Sequence, residues 1–446
     1  MKKIFAFIAF SVCCNFLAAQ TYTLEQILDS ARQNNIAVRS AKHNIEAAQH
    51  QRKEAFTKYF PNVSAAGLWF NASREMAEMT VSPSDLMTPQ MLNVLEQTLP
   101  PSVLAGLGTP IMSLSMLKKG VVGTVTAVQP VFAGGQIING NRLAKVGEDV
   151  SRLQLQLSEN EVEKSAEQYF WQLASLQEKL KTIQASEELL GDIHKDVDVA
   201  VRAGVAMPND LLQVQLRQNE VESQKLKLLN ASSLSRMLLS QYCGLRDTTF
   251  SLIYQTEEPS PLLAQQDPQQ ALVGTPEYQL LGKQVEAANL QRKMAIGQNL
   301  PTVAVGVGYT YHNLLENDRS FGMVFATVNV PISDWWGGSH AIKRKKIEQQ
   351  KAVEQLDDNS QLLKIRMQNA WNGVEESYQQ LGIAQRSIEQ AEENLRMNRN
   401  YYQAGTSKMS DLLQAQLLYQ QARDKRTEAF SNYQNKLLEY KHSIGQ

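Results

Sequence analysis

An internal duplication constrains this chain of 446 residues more than any other feature. The segment Glu46 to Ala55 recurs in large part as Glu286 to Ala295, an offset of 240 positions (286 − 46). Farther along, an Ala-Gly pair followed by Asp-Leu-Leu-Gln recurs between Ala203 and Gln414 at an offset of 201 (411 − 210). Two fixed offsets predict two tandem copies of one unit, with 39 additional residues (240 − 201) inserted in the first copy.

Each copy has the same order of segments. A helical stretch ends at a proline, two β-like segments follow with a loop between them, and two long helical stretches then meet at the Ala-Gly pair. Several prolines between the copies predict an irregular linker. The expected boundaries are 20–246 for the first copy (strands near 62–70 and 121–130, insertion at about 71–120), 247–275 for the linker, and 276–446 for the second copy (strands near 301–311 and 320–331).

The first residues predict export from the cytoplasm. Lys2 and Lys3 precede an apolar run from Ile4 to Leu17, and Ala18-Ala19 supply small residues before a cleavage point. Residues 1–19 therefore form a predicted signal peptide. Acylation of Cys13 or Cys14 is the alternative that makes the chain a lipoprotein. After cleavage only Cys243 remains, so no disulfide can form within the chain.

Composition narrows the class of protein. The 44 basic and 45 acidic residues give a net charge of −1, so nothing electrostatic favours a nucleic-acid partner. After residue 20 no apolar run reaches the roughly 18 residues that a membrane helix needs. Because only helices and closed barrels satisfy the backbone in lipid, the exported chain is either soluble or crosses a membrane as β-strands.

The predicted helices are very long, and the predicted strands alternate between large apolar and small residues. Helical stretches of about 60 residues would be roughly 90 Å long, which indicates a coiled coil, a helical tube or an antiparallel bundle. In the strand near 301–311, the large apolar side chains Val303, Val305 and Val307 alternate with small ones, which predicts a strand between lipid and a lumen. Aromatic residues near the strand ends suit a membrane interface: Trp69, Tyr309, Tyr311 and Phe321. One face of a soluble antiparallel sheet would show the same alternation.

The number of strands requires more than one chain. Four strands per chain cannot close a barrel of the usual eight or more, and open sheet edges are not tolerated in lipid. The barrel must therefore be shared. Two chains give eight strands and three give twelve, and the arithmetic permits either.

With these features, the chain resembles the TolC-like family of outer-membrane efflux proteins. The most specific segments are the Gly-x5-Asp-Leu-Leu-Gln-x-Gln-Leu sequences that begin at Gly204 and Gly405. The resemblance covers essentially the whole mature chain. It implies a mainly α fold: a homotrimer whose long coiled-coil-like helices form an α-barrel across the periplasm, while four strands per chain build a twelve-stranded β-barrel in the outer membrane of a Gram-negative type of cell. The insertion at 71–120 would then be extracellular.

The family resemblance also implies a function and partners. The chain would be the passive exit duct of a tripartite efflux or type I secretion system, and would contact outer-membrane lipid, a periplasmic adaptor and an inner-membrane transporter. It would be neither an enzyme nor a cofactor protein. The alternative is a soluble periplasmic coiled-coil scaffold or adaptor. The transported substrate and the class of pump do not follow from the sequence.

The same resemblance places a closing constriction at the periplasmic helix ends. Its residues would be Asp210, Asp411 and Tyr402, and one aspartate from each of three chains would form a ring that attracts cations. The turns at Gly204 and Gly405, with Lys408, would face the adaptor. Capping of the returning helices is an alternative role for the aspartates, and a left-handed helix end explains the glycines without a partner.

Two positions depart from the family pattern. Ser407 stands where an arginine would tie the constriction, with Lys408 as a substitute, and Gln414 replaces a second acidic residue. Elsewhere, six methionines in the insertion suit either copper(I) binding or flexible apolar packing: Met76, Met79, Met87, Met91, Met112 and Met116. None of the six histidines forms an i, i+4 metal pair.

Overall fold

The computed structural model of the chain describes residues 20–74, 77–116, 119–255, 264–314 and 318–445. The predicted signal peptide, Cys13, Cys14 and Met76 lie outside these ranges. The chain divides into two compact units. The first contains the described residues up to Gln49 and those within Val146–Ala287 and Gln350–Gln446, and the second contains the described residues within His50–Lys145 and Ala288–Gln349. None of the helices in the described ranges is both long and apolar enough to cross a bilayer.

Long helices dominate the fold. The helices are α1 (Leu24–Asn34), α2 (Ile36–Thr57), α3 (Pro89–Thr98), α4 (Pro101–Leu107), α5 (Gln136–Arg202), α6 (Pro208–Cys243), α7 (Pro268–Leu272), α8 (Pro276–Gln298), α9 (Asp334–Gln403) and α10 (Met409–Ser443), with a 3-10 turn at Pro83–Leu86. The strands are β1 (Thr21–Tyr22), β2 (Asn62–Asn71), β3 (Ala77–Val81), β4 (Met112–Met116), β5 (Lys119–Ala133), β6 (Ser251–Leu252), β7 (Thr302–Asn313) and β8 (Asp318–Asn329). The two longest helices, α5 and α9, contain 67 and 70 residues.

The second unit is organised around a four-stranded antiparallel sheet. Its strand order is β2-β5-β7-β8, so each copy contributes one neighbouring pair of strands. A register shift between Pro130 and Phe132 marks an irregularity in β5, where proline cannot donate a ladder hydrogen bond. Within the insertion, β3 pairs with β4 as a separate two-stranded sheet. The predicted strands are present, each within three residues of its expected ends.

The first unit is helical. One of its cores surrounds the completely buried side chains of Phe170 and Leu173 on α5. A second core joins the ends of the helices nearest the Ala-Gly turns, and includes Leu190, Val214 and Met409. A short parallel pairing of β1 with β6 connects the start of the described chain to the segment after α6.

Two expectations need refinement. The first helical stretch is broken at Asn35, whose backbone is extended and whose side-chain oxygen accepts a hydrogen bond from the Ala37 N–H at 2.8 Å. An asparagine that caps a new helix explains the break. The linker at 247–275 is also not wholly irregular, because it contains β6 and the short helix α7.

Candidate functional site

One face of the four-stranded sheet carries exposed apolar side chains. Directly opposed residues of neighbouring strands share a face, so the register assigns each residue to one side. The members of this apolar face include Val63, Trp69, Val121, Val125, Val303, Val305, Val307, Tyr309, Tyr311, Val324 and Val328. Apart from Val303, each of these side chains is at least 40% exposed. An exposed apolar area of this kind marks a surface that contacts something other than water.

The opposite face carries hydroxyl groups and glycines beside exposed apolar side chains such as Leu68 and Met323. Ser64 and Thr126 share a hydrogen bond of 3.0 Å across β2 and β5, and Thr124 and Thr310 share one of 3.2 Å across β5 and β7. We call this side the hydroxyl face. Along most of β7 the two faces therefore differ as the sequence alternation predicts, with large apolar residues on one side and glycine, alanine or threonine on the other.

Phe321 lies on the other side of the sheet from the remaining residues of the predicted aromatic belt. It is paired with Thr310, which places it on the hydroxyl face, whereas Trp69, Tyr309 and Tyr311 lie on the apolar face. On the same side, Phe325 lies against Gly306, where an added Cβ would come within 2.4 Å of its ring. Glycine on β7 thus makes room for large side chains on β8. The residue numbers alone could not show this, because the loop between the strands sets which residues oppose one another.

The two Ala-Gly turns of the first unit have the same geometry. Gly204 and Gly405 have φ values of +74° and +72°, in the left-handed region that favours glycine. After α5, the Val205 N–H donates to the Ala200 carbonyl at 2.9 Å, and after α9 the Thr406 N–H donates to Tyr401 at the same distance. Both are Schellman helix ends. The duplicated sequence is therefore a duplicated turn.

Asp210 and Asp411 lie in the first turn of the returning helices. The Asp210 carboxylate accepts from the Met207 N–H at 3.4 Å, and the Asp411 carboxylate accepts from the Lys408 N–H at 3.3 Å. Asp411 also accepts a hydrogen bond of 3.2 Å from the Ser407 hydroxyl. The aspartates are thus not the capping residues themselves but lie three positions farther on, where a carboxylate satisfies the cap N–H and interacts well with the helix dipole.

Two of the three predicted constriction residues, Asp210 and Tyr402, line one open groove of 1110 Å³ between the two turns. Gly204, Gly405 and Lys408 line the same groove, whereas Asp411 is not one of its lining residues. Burial, together with the neighbouring Asp210 carboxylate, raises the pKa of Tyr402. The first copy's aspartate and the second copy's tyrosine therefore lie close together. Gln414 is exposed. The roles in closing the constriction and in contacting the adaptor remain predictions.

A buried polar network joins α6 to α10 farther along these helices from the turns than the groove. The sequence did not predict this network. Arg217 on α6 donates from Nε to Gln416 Oε1 and from Nη2 to Gln420 Oε1 on α10, each at 3.0 Å. Gln420 in turn donates to Gln224 at 2.9 Å. Arg217 is 7% exposed, although it lies in an otherwise polar-looking sequence. One feature of the sequence does distinguish Arg217: at the offset of 201 the second copy has Leu418, so the arginine interrupts the repeat.

The carboxy-terminal part of the chain matches a known family by sequence. The model of the outer membrane efflux protein family matches residues 268–446, which contain the whole second copy. No curated protein matches the sequence significantly.

Solved structures extend the similarity over almost the whole chain. The outer membrane protein VceC from Vibrio cholerae is 16% identical with a TM-score of 0.72, and the match covers 95% of this chain and 96% of VceC. The Campylobacter jejuni CmeC outer membrane channel is 14% identical with a TM-score of 0.75, covering 95% and 85%. The open-state MtrE outer membrane channel of Neisseria gonorrhoeae is 13% identical with a TM-score of 0.70, covering 95% and 88%. At these identities the similarity establishes a shared fold.

Proposed function

We propose that this chain belongs to the outer membrane efflux protein family and is the passive outer-membrane channel of a tripartite efflux or type I secretion system. The family is one of transport channels rather than enzymes. The family model matches the second copy, and the duplication together with the fold extends the family assignment to the first. Energy for transport would come from the inner-membrane partner.

The single observation that carries the proposal is the four-stranded sheet with its exposed apolar face. A sheet in lipid must have every backbone group paired, so β2 and β8 need further strands beside them. Two strands from each copy give four per chain, and three chains give a closed barrel of twelve. The apolar face would then contact lipid, and the hydroxyl face would line the lumen. Trp69, Tyr309 and Tyr311 would lie at the membrane interface.

The paired turns support a closing constriction at the periplasmic ends of the long helices. In a homotrimer, Asp210 and Asp411 would form acidic rings around the axis, with Tyr402 packed beside Asp210. The turns at Gly204 and Gly405, with Lys408, are the surfaces we assign to the periplasmic adaptor. Capping and constriction are compatible roles, because a carboxylate that accepts one backbone N–H keeps its negative charge.

A soluble periplasmic scaffold or adaptor is the competing function. It would have to keep the apolar face of the sheet in water, where so many neighbouring exposed apolar side chains are unfavourable. It also predicts a protein that is released from cells without detergent, whereas a barrel requires detergent and migrates anomalously until it is heated.

The test measures assembly and conductance together. Purified protein should have a trimer's mass in native electrophoresis and should conduct in a planar bilayer, with a preference for cations. The double variant Asp210→Ala/Asp411→Ala should change the conductance and lower the ratio of cation to anion permeability, because the acidic rings are lost.

A matched control removes two acidic residues away from the turns. Glu188 on α5 and Glu222 on α6 are exposed, so Glu188→Ala/Glu222→Ala changes the net charge equally. It should leave selectivity unchanged. A monomeric, non-conducting protein would rule out the channel, whereas a conducting trimer with unchanged currents in the Asp210/Asp411 variant would assign both aspartates to helix capping alone.

A further inference from the structure

We propose that Arg217 is the positioning residue that holds the channel tip closed, through its buried contacts with Gln416 and Gln420. The inference rests on the proposed channel function and identifies a polar contact that, beside the apolar core, joins the two copies of one chain near the constriction. It assigns this role to the first copy's returning helix, α6, and to the second copy's returning helix, α10.

The geometry of the link is specific to a guanidinium group. Nε reaches Gln416 Oε1 and Nη2 reaches Gln420 Oε1, each at 3.0 Å, while Nη1 donates to the Glu220 carboxylate at 2.8 Å. Gln416 and Gln420 are one helical turn apart, so the planar fork of a single arginine spans both amides. A lysine has only one nitrogen and cannot make the same set of contacts.

Burial makes the link strong when it is formed. Gln416 and Gln420 are 1% and 4% exposed, and Val214 and Val221, one turn to either side of Arg217, are completely buried. If both amide acceptors were lost, the guanidinium would keep only Glu220 on its own helix, and its Nε and Nη2 would be left unsatisfied next to apolar side chains, which is less favourable than the paired state. Separation of α6 from α10 at this level is therefore opposed.

The position of the link relates it to the constriction. Arg217 lies seven residues after Asp210, which is about two helical turns or roughly 10 Å along α6. Closer to the turn, the position that resembles the family's arginine is Ser407, whose hydroxyl donates to Asp411 on its own helix segment. Lys408 contributes its backbone N–H to the same carboxylate. These two contacts stay within the second copy, whereas Arg217 joins the first copy to the second.

Opening of the tip must therefore act on this link. If α6 and α10 move apart between Arg217 and the turns, the groove beside Asp210 widens first, and further opening requires the guanidinium to leave its amide partners. Arg217 would thus set how easily and how far the tip opens. Loss of the link should favour the open state, and a stronger partner for the guanidinium should favour the closed state.

The experiment compares substitutions with opposite expected effects. Single-channel recordings of the purified trimer give the ratio of open to closed time. Arg217→Met should raise this ratio about tenfold or more, since hydrogen bonds to a charged group are lost. Arg217→Lys should give a smaller rise. Gln420→Glu supplies a carboxylate partner and should lower the ratio below that of the unaltered protein.

A double-mutant cycle tests whether the contact itself is responsible. Gln416→Leu should also raise the ratio, and Arg217→Met combined with Gln416→Leu should add little to Arg217→Met alone, because both remove the same interaction. Arg396→Met is the matched control. Arg396 is an exposed arginine on α9 that pairs with Glu393 three residues away, and its loss should leave gating unchanged.

The outcomes separate the inference from the proposed function. Conducting trimers with the same open-to-closed ratio in Arg217→Met and Gln420→Glu would overturn the role of Arg217 and leave the channel intact. An unaltered protein that neither trimerises nor conducts would refute the channel instead. Should Arg217→Met fail to fold, Gln416→Leu and Gln420→Glu decide the question, because only a closing contact predicts effects of opposite sign.

Discussion

The two copies of the repeat share one turn and bury the same side of the helix that follows it, but they differ at individual positions. After Gly204 and Gly405 the hydrogen bonds and the aspartates correspond closely. Beyond the aspartates, the equivalent residues Val214 and Ala415 are both buried, as are Val221 and Ala422. Arg217, in contrast, is buried on α6, whereas its counterpart Leu418 on α10 is exposed. A duplicated sequence therefore preserves backbone geometry and the buried side of the helix, while the neighbours of each helix decide whether a single position is buried.

The glycine pairs after the strands show the same contrast more sharply. In the first copy, Gly134 and Gly135 have φ values of +58° and +75° and form the turn between β5 and α5. In the second copy, Gly337 and Gly338 lie within the first turns of α9. The two glycine pairs that follow the strands thus have different conformations. Substitutions of these glycines are expected to have the largest effects among the tests that compare the two copies.

Gly134→Ala is expected to abolish the folded protein. An added Cβ at Gly134 would come within 2.1 Å of the Gly297 carbonyl oxygen, and alanine also disfavours the positive φ. Gly337→Ala should be tolerated or slightly stabilising, since nothing lies within 4 Å and alanine favours a helix by about 1 kcal/mol. The measurement is the yield and the melting temperature of the purified protein. Equal changes in yield and melting temperature for Gly134→Ala and Gly337→Ala would mean that the two glycine pairs have equivalent structural roles.

A second test asks whether corresponding strand positions of the two copies face the same environment. At the offset of 201, Val125 and Thr126 of β5 correspond to Ala326 and Thr327 of β8, and the register keeps each pair on one face. Arginine at Val125 or Ala326 on the apolar face should disfavour the membrane-inserted state by about 2–4 kcal/mol at mid-bilayer depth.

Arginine at the adjacent positions on the hydroxyl face is the appropriate control, introduced as Thr126→Arg and Thr327→Arg. Both variants should still assemble, because the hydroxyl face would line the lumen, although Thr126 also loses its hydrogen bond with Ser64. Heat-modifiable migration of membrane fractions reports the inserted protein. Loss of assembly in all four variants would contradict the assignment of the two faces.

The smallest expected effect concerns a charge that only the second copy carries. Burial raises the pKa of Asp424 on α10 to about 6, although Lys179 opposes the shift. The first copy has Ser223 at this position. Because the folded state holds the proton more tightly than the unfolded state, the contribution of this group to stability is greatest below about pH 4 and declines as the pH rises through 6.

Asp424→Asn removes that decline. The variant should be more stable than the original protein at pH 7.5, by about 1 kcal/mol after allowance for solvent screening, and similar to it near pH 4. Thermal melts at the two pH values measure the difference. A gap of the same size at both would show that the ionised carboxylate is not what destabilises the helix pair.

The sequence predicts the backbone of this protein better than its contacts. The duplicated turns and the strands follow from glycine, proline and alternation, which act locally. The break at Asn35 depends on a capping hydrogen bond, and the face occupied by Phe321 depends on strand register, so neither follows from periodicity alone. Arg217 could not be placed, since its burial comes from amides about 200 positions away in the chain.

The amide partners of Arg217 also bear on how the protein responds to its surroundings. Glutamine side chains neither gain nor lose protons, and a guanidinium stays charged at every pH a bacterium tolerates. Ions in the medium weaken exposed charge pairs but have little access to a contact that is almost fully covered. High salt or mild acid would therefore leave the two amide contacts of Arg217 unchanged, and salt would weaken only its pairing with the exposed Glu220.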